Sequence, residues 1–186
     1  TAELSFSTTF EQCMQLSSKG THQHRCAMGI WFALVNEQVN VFDDKSALES
    51  WYNASLSIKD TSEYRYFTPK KQSDLLSLLA TFAIALDKEA EFDAYQQEIA
   101  NHFNGDKPDP YQWASYLSRV ASLISTENPS LSLSMYKEFI ASNGASDYWL
   151  SGTHTRIARR AYSLQDYDTY ERSLSEGTQL ALEYDE

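Results

Sequence analysis

The sequence predicts an all-α protein, with antiparallel helical hairpins stacked as a short array or a compact helical bundle. Three observations predict it. One short phrase recurs at the head of three expected helices: Phe92-Asp93-Ala94-Tyr95 with Ile99 four residues on, Leu133-Ser134-Met135-Tyr136 with Ile140, and Tyr167-Asp168-Thr169-Tyr170 with Leu174. The phrases start 41 and then 34 residues apart, and a period of that size marks repeated helical hairpins. The 186 residues include only 6 Gly and 4 Pro, too few breakers for a fold of many short strands. Finally, Asp109-Pro110 and Asn128-Pro129 each place a capping side chain before a proline, whose missing amide costs nothing in a first helical turn.

Taken in order, residues 1–8 are a polar lead. Thr8-Thr9-Phe10-Glu11 fits a capping box, in which hydroxyl and carboxylate satisfy free amides, so a short helix follows and stops near Gly20. A second helix is expected from about His22 to Gln38, apolar nearly all round between Cys26 and Val35 and therefore central. Val39-Asn40-Val41-Phe42 alternates like a strand but has no obvious partner. Asp43 or Asp44 then caps a helix through about Ile58, with Leu48, Trp51, Tyr52, Ser55 and Leu56 on its inner side. Lys59 to Lys71 reads as an ordered connection.

From Ser73 the pattern is cleaner. Leu75, Leu76, Leu78, Leu79, Phe82, Ala83 and Leu86 mark one helix, and its partner runs from about Ala90 to Phe103. Asn104-Gly105-Asp106-Lys107-Pro108 is a strong break. Helices follow from Asp109, from Asn128 to about Ala141, from Asp147 and from Asp166. Ser142-Asn143-Gly144 ends the second of these in a left-handed turn. The expected organisation is an N-terminal helical segment, residues 1–60, packing on a hairpin region, residues 73–186, as one structural domain.

A net charge of −11 repels a phosphate backbone, which excludes nucleic acid as a natural partner and favours a basic protein. The longest apolar run, Ile30 to Val35, is far short of the roughly 20 residues that span a bilayer. Thr1 reads as a processed mature end or a trimmed one. Cys13 and Cys26, 13 residues apart, are either free thiols in the cytoplasm, the expected location, or a disulfide in a periplasmic or secreted chain.

The first hairpin reads Leu79-x2-Phe82-Ala83-x2-Leu86-x5-Phe92-x2-Tyr95-x3-Ile99, and the last reads His154-x2-Ile157-Ala158-x2-Ala161-x5-Tyr167-x2-Tyr170-x3-Leu174. They superpose without a gap at an offset of 75 residues. Over roughly residues 73–182 this resembles the tetratricopeptide repeat. The resemblance implies that Ala83 and Ala158 are the small residues that admit the second helix. It also implies that Phe92 and Tyr167 seal each hairpin. Tyr95 and Tyr170 depart from the family, where the position three residues after the sealing aromatic is small. The clamp for a peptide carboxylate known in that family needs Lys, Arg and Asn together. Arg119 and Arg156 lie on first helices, but the Asn partners are missing.

Few constellations carry chemistry. Cys13, His22, His24 and Cys26 have the ligand types of a tetrahedral zinc site but not a usual spacing, so no metal or other cofactor is expected. No nucleophile elbow, HExxH, phosphate loop or dinucleotide fingerprint occurs, and no catalytic residue is expected. Arg156, Arg159 and Arg160 are the one dense basic group. Arg156 and Arg160 share a helix face and either receive an anion or carboxylate or pair with Asp166, Asp168 or Glu171. Tyr111, Trp113, Tyr116, Tyr148, Trp149 and Tyr162 fall on first helices, which line the concave face of hairpin arrays. The functional expectation is a non-catalytic, acidic and aromatic-rich module. It captures a partner protein stoichiometrically, as an immunity protein captures its toxin, through Tyr111, Trp113, Tyr116, Tyr148, Trp149, Arg156 and Arg160. A secretion chaperone or adaptor holding an extended peptide is the alternative.

Overall fold

The computed structural model describes residues 12, 13, 15, 22–26, 45–103, 110–142 and 146–184, giving only the backbone for residues 47, 147, 148 and 184. Among the described residues seven long helices follow one another: α1 Lys45–Lys59, α2 Pro69–Ala85, α3 Glu89–Phe103, α4 Pro110–Leu123, α5 Pro129–Ala141, α6 Asp147–Ser163 and α7 Tyr167–Tyr184. A 3-10 turn, Tyr64–Tyr66, lies between α1 and α2. Among the described residues there is no strand, and the protein is all-α. No described helix is long and apolar enough to cross a membrane. The capping box at Thr8, the helix continued beyond Cys26, the strand at Val39–Phe42, the Asp43/Asp44 cap, the break at 104–108 and the Asn143-Gly144 stop lie outside the described residues.

Three helix starts have a local cause. Asn128 accepts from the Leu131 amide at 3.1 Å and Pro129 fills the first position. Asp166 accepts from the Thr169 amide at 3.1 Å, and hydrogen bonds from the Thr169 side chain and then that amide hold its carboxyl below the usual range. Thr68-Pro69 uses the same device, with the Thr68 hydroxyl accepting from the Lys71 amide. The helix expected from Ser73 therefore begins four residues earlier, inside the stretch read as a connection.

The chain divides into two compact units, Thr1–Gln97 and Glu98–Glu186, and the division falls within α3. In the first unit α1 buries Leu48, Trp51, Tyr52, Ser55 and Ile58, a stripe at helical spacing, and packs on α2. Every residue of α2 from Gln72 to Ala83 is buried. Gln72 donates to the Tyr64 carbonyl at 3.4 Å, and three further polar groups bond within the helix itself. Ser77 donates to the Ser73 carbonyl, Thr81 to the Ser77 carbonyl, and Lys70 pairs with Asp74 at 3.1 Å. The Tyr52 and Tyr95 hydroxyls meet at 2.7 Å, which ties α3 to α1. Cys13 and Cys26 form a disulfide. Its loop of 13 residues removes about 3 kcal/mol of unfolded-chain entropy.

In the second unit α4 packs on α5, α5 on α6 and α6 on α7. Trp113, Tyr116, Leu117, Val120, Leu133, Met135, Tyr136, Phe139, Ile157 and Ala161 form the core. The α6–α7 seam is made of small groups. Thr169, Ser173 and Gly177 recur every fourth residue and are buried, and α6 buries Thr153, Ile157, Ala158 and Ala161. At Gly177 the helices come so close that a β-carbon would lie 2.9 Å from His154 Cβ. Ser151 donates to the Gly177 carbonyl at 3.0 Å.

The turns of the first and last hairpins are alike, and they correct the alignment read from the sequence. The Lys88 amide donates to the Ala83 carbonyl across left-handed Asp87, φ 57°. The Asp166 amide donates to the Ala161 carbonyl across left-handed Gln165, φ 61°. Both are helix stops of the Schellman type. They make Ala161 the counterpart of Ala83, an offset of 78 residues rather than 75. Burial follows the new register: Leu79 and Ile157, Ala80 and Ala158, Tyr95 and Ser173, and Ile99 and Gly177 are buried in pairs. Tyr167, expected to seal the last hairpin as Phe92 seals the first, is instead 55% exposed. Tyr170, half-buried, stands where Phe92 does.

Candidate functional site

Two surfaces of the second unit carry the residues of interest. The first is a polar cluster where α4, α5 and α6 meet. Arg156 and Arg160 are one helical turn apart on α6 and point the same way. Arg156 donates to the Ser118 hydroxyl of α4 at 3.3 Å and lies 6.0 Å from the centre of the Tyr136 ring. Arg160 donates at 3.0 Å to the carbonyl of Ser125, just past the end of α4, where the helix dipole favours a cation. The Tyr136 phenol is buried, and burial pushes its pKa up. Arg156, a hydrogen bond from the Ser122 side chain and the Arg160 charge act against that rise. Arg156 and the Ser122 side chain thus bond this phenol, Arg160 adds its charge, and Ser118 holds Arg156.

Among the described residues, none of Arg156, Arg159 and Arg160 forms an ion pair. Pairing with Asp166, Asp168 or Glu171, one of the two expectations from the sequence, does not occur. Asp166 accepts from Thr169 of its own helix instead. Of the acids on α7, Glu176 faces His154 at 3.4 Å.

The second surface is the outer side of the α6–α7 hairpin. The small residues at 169, 173 and 177 face α6, so the opposite side of α7 carries Tyr167, Glu171, Leu174, Thr178 and Leu182 at intervals of three and four. Leu182 is 66% exposed and Leu174 41%. Tyr162, 60% exposed, sits with its ring 6.0 Å from Tyr167 and 5.5 Å from Tyr170. Leu164 adds to the same edge. An open hollow of about 490 Å³ follows Leu174, Ser175, Thr178, Gln179, Leu182 and Glu183.

The aromatic face expected on first helices does not form as a unit. Trp113 and Tyr116 are buried, stacked on each other at 5.5 Å with rings inclined by 14°. Their spacing belongs to the core stripe of α4, which continues through Leu117 and Val120. Tyr111 is exposed and lies 5.6 Å from Trp149. Trp149 is half-buried and edge-on to Phe139. The side chain of Tyr148 lies outside the described residues. Of the expected binding residues the structure brings Arg156 and Arg160 together, and Tyr111 with Trp149. Leu164, Tyr167, Leu174 and Leu182 were not anticipated as surface. The signal that finds them is the row Thr169, Ser173, Gly177, whose close-packing side faces away from the leucines.

The four metal-ligand candidates do not assemble. Cys13 and Cys26 spend their sulfurs on each other. His22 is exposed. His24 is buried, with its ring edge-on to Phe67 at 5.3 Å and Nε2 3.1 Å from the Lys71 carbonyl. Burial lowers its pKa to about 4, helped by Lys71 and Lys70 and opposed by the Lys71 carbonyl bond. It is therefore neutral at pH 7. No group of three or more metal-ligand side chains occurs among the described residues.

Comparison with protein-family models, with curated proteins and with solved structures found no match.

Proposed function

We propose that this chain is a non-catalytic binding module that captures one basic partner protein stoichiometrically, in the manner of an immunity protein that neutralises a toxin. The observation that carries the reading is the outer side of the α6–α7 hairpin. Five of the seven large apolar side chains exposed among the described residues are Tyr162, Leu164, Tyr167, Leu174 and Leu182, all within this one hairpin. Clustered exposed apolar groups of this kind are the anchors of protein interfaces. Asp168, Glu171 and Glu183 are exposed on the same helix, so the complementary surface is apolar at its centre and basic at its rim. The charge of −11 adds long-range attraction that speeds encounter with such a partner.

The hairpin architecture is tetratricopeptide-like in this reading. The corrected register supports it by placing Ser173, a small residue, three positions after Tyr170, which removes the departure noted at that hairpin. The Cys13–Cys26 disulfide fits an oxidising compartment, periplasmic or extracellular, because reducing cytoplasm keeps such thiols free.

The test is affinity capture from an extract of the source cells with the wild-type chain and a Tyr167→Ser/Leu174→Ser variant, compared by quantitative mass spectrometry. The expected result is a basic protein held by the wild type, lost from the variant, and eluted by about 0.5 M salt, where the screening length falls to a few ångströms. Circular dichroism checks that both chains are equally helical. Equal recovery of every captured protein on the two chains overturns the proposal.

A further inference from the structure

We infer that the cluster between α4 and α6 is an anion site for a tetrahedral oxyanion of the phosphate class, held by the guanidiniums of Arg156 and Arg160 and the hydroxyls of Ser118, Ser122 and Tyr136. The argument begins with charge. Three arginines crowd into five residues of α6 in a chain with 26 acidic residues, yet among the described residues none of them is paired with a carboxylate. The bonds that Arg156 and Arg160 make go to the neutral hydroxyls of Ser118 and Tyr136 and to a neutral carbonyl. Those bonds orient the guanidiniums without neutralising them. Two like charges one turn apart on a helix repel each other, and an anion between them relieves the repulsion.

Donor capacity points the same way. A guanidinium carries five N–H donors in a planar fork, and the bonds from Arg156 to Ser118 and Tyr136 and from Arg160 to Ser125 leave donors over on both. Ser118 and Ser122 lie one turn apart on α4 and Tyr136 comes from α5, so the hydroxyls approach from a different side than the cations. A carboxylate is planar, carries a single charge and is satisfied by one fork. A phosphate carries up to two charges and oxygens in four directions, which suits two cations and hydroxyls arriving from separate helices. Tyr136 and Ser118 are buried, so the floor of the site is fixed by the core, while Ser122 on its rim is exposed. Arg156 is exposed and Arg160 half-buried, which leaves the ligand a way in.

The experiment is titration calorimetry and thermal melting of the full chain at pH 7 and constant ionic strength, with inorganic phosphate, sulfate, O-phosphoserine, acetate and chloride. Phosphate and sulfate are expected to bind saturably and to raise the melting temperature by several degrees. Acetate binds at least tenfold more weakly, and chloride does not bind. O-phosphoserine tighter than inorganic phosphate identifies an esterified phosphoryl group as the ligand, and the reverse order identifies the free ion. Arg156→Gln lowers phosphate affinity at least tenfold, while Arg159→Gln, on the same helix but outside the cluster, leaves it unchanged. Tyr136→Phe keeps the buried ring and the melting temperature without ligand but weakens phosphate binding several-fold. Phosphate no better than chloride, or Arg156→Gln and Tyr136→Phe binding as the wild type does, overturns the inference.

Discussion

The first and last hairpins share a turn and differ in their seams. Both stop the first helix with a left-handed, non-glycine residue, Asp87 or Gln165, and both close the same amide-to-carbonyl bond. Beyond the turn, the first hairpin buries Phe92, Tyr95 and Ile99 where the last has half-buried Tyr170 and buried Ser173 and Gly177. Interhelical distance follows side-chain size. Small residues therefore draw α7 onto α6, to the point where Gly177 leaves no room for a β-carbon. The consequence is functional. An aromatic seam spends its rings inside, whereas a small-residue seam leaves Tyr162, Tyr167, Leu174 and Leu182 outside. The same backbone device thus yields a core element in one hairpin and a candidate interface in the other.

The sharpest way to break the comparison is truncation of the paired aromatics. Phe92→Ala is expected to cost about 3 kcal/mol, as for other buried rings, and Tyr167→Ala less than about 1 kcal/mol. Tyr170→Ala falls between them. Urea denaturation of the three variants measures this. Equal losses for Phe92→Ala and Tyr167→Ala restore the offset of 75 and refute the offset of 78.

Each unit also holds one buried histidine, and their surroundings differ. His24 has Lys70 and Lys71 around it, while His154 faces Glu176. Burial lowers both pKa values, but Glu176 opposes the effect at His154. His24 stays neutral in the fold down to about pH 4, whereas an unfolded histidine takes up its proton near pH 6.5. Its contribution is fully present above pH 6.5 and is lost as pH falls towards 4, by about 2 kcal/mol after allowance for solvent screening. Urea midpoints measured between pH 7 and 4.5 are expected to fall in the wild type and to flatten in His24→Gln. An unchanged slope in that variant removes His24 as the cause.

Gly177→Ala probes the close seam itself. Alanine is the better helix former, by about 1 kcal/mol. The added β-carbon nevertheless meets His154 Cβ and the Ser151 carbonyl oxygen, neither of which is the free end of a side chain. A net loss of about 1–2 kcal/mol is expected by thermal melting, because α6 and α7 have to separate. A gain in stability contradicts the close approach. The smallest effect concerns the shared turn. Asp87→Gly and Gln165→Gly each relieve a left-handed backbone and are expected to stabilise by about 0.5–1 kcal/mol. The two gains should match, since the exposed Lys45–Asp87 ion pair lost in the first adds little.

Much of the helical scaffold was legible because its signals are local. Asn128-Pro129 and Asp166 start helices through bonds within three residues of themselves. The α1 stripe from Leu48 to Ile58 also buries nearly as its spacing indicates. Thr68-Pro69 carried the same start signal, but the aromatic and polar residues before it read as a connection. The candidate site was legible in composition and not in placement. Arg156 and Arg160 do stand together, whereas Trp113 and Tyr116, read as surface, fill the core.

The sequence alone determined the all-α class, most helix starts and the acidic balance, because capping, proline geometry and net charge depend on the residue and its near neighbours. Tertiary structure decided the hairpin register, the bonding of Cys13 to Cys26, the absence of described carboxylate partners at Arg156, Arg159 and Arg160 and the exposure of Tyr167, Leu174 and Leu182. Each of these depends on which helix face meets which. A recurring aromatic phrase does not encode that choice, since the small residues at 169, 173 and 177 turn α7 by where they allow the backbones to touch.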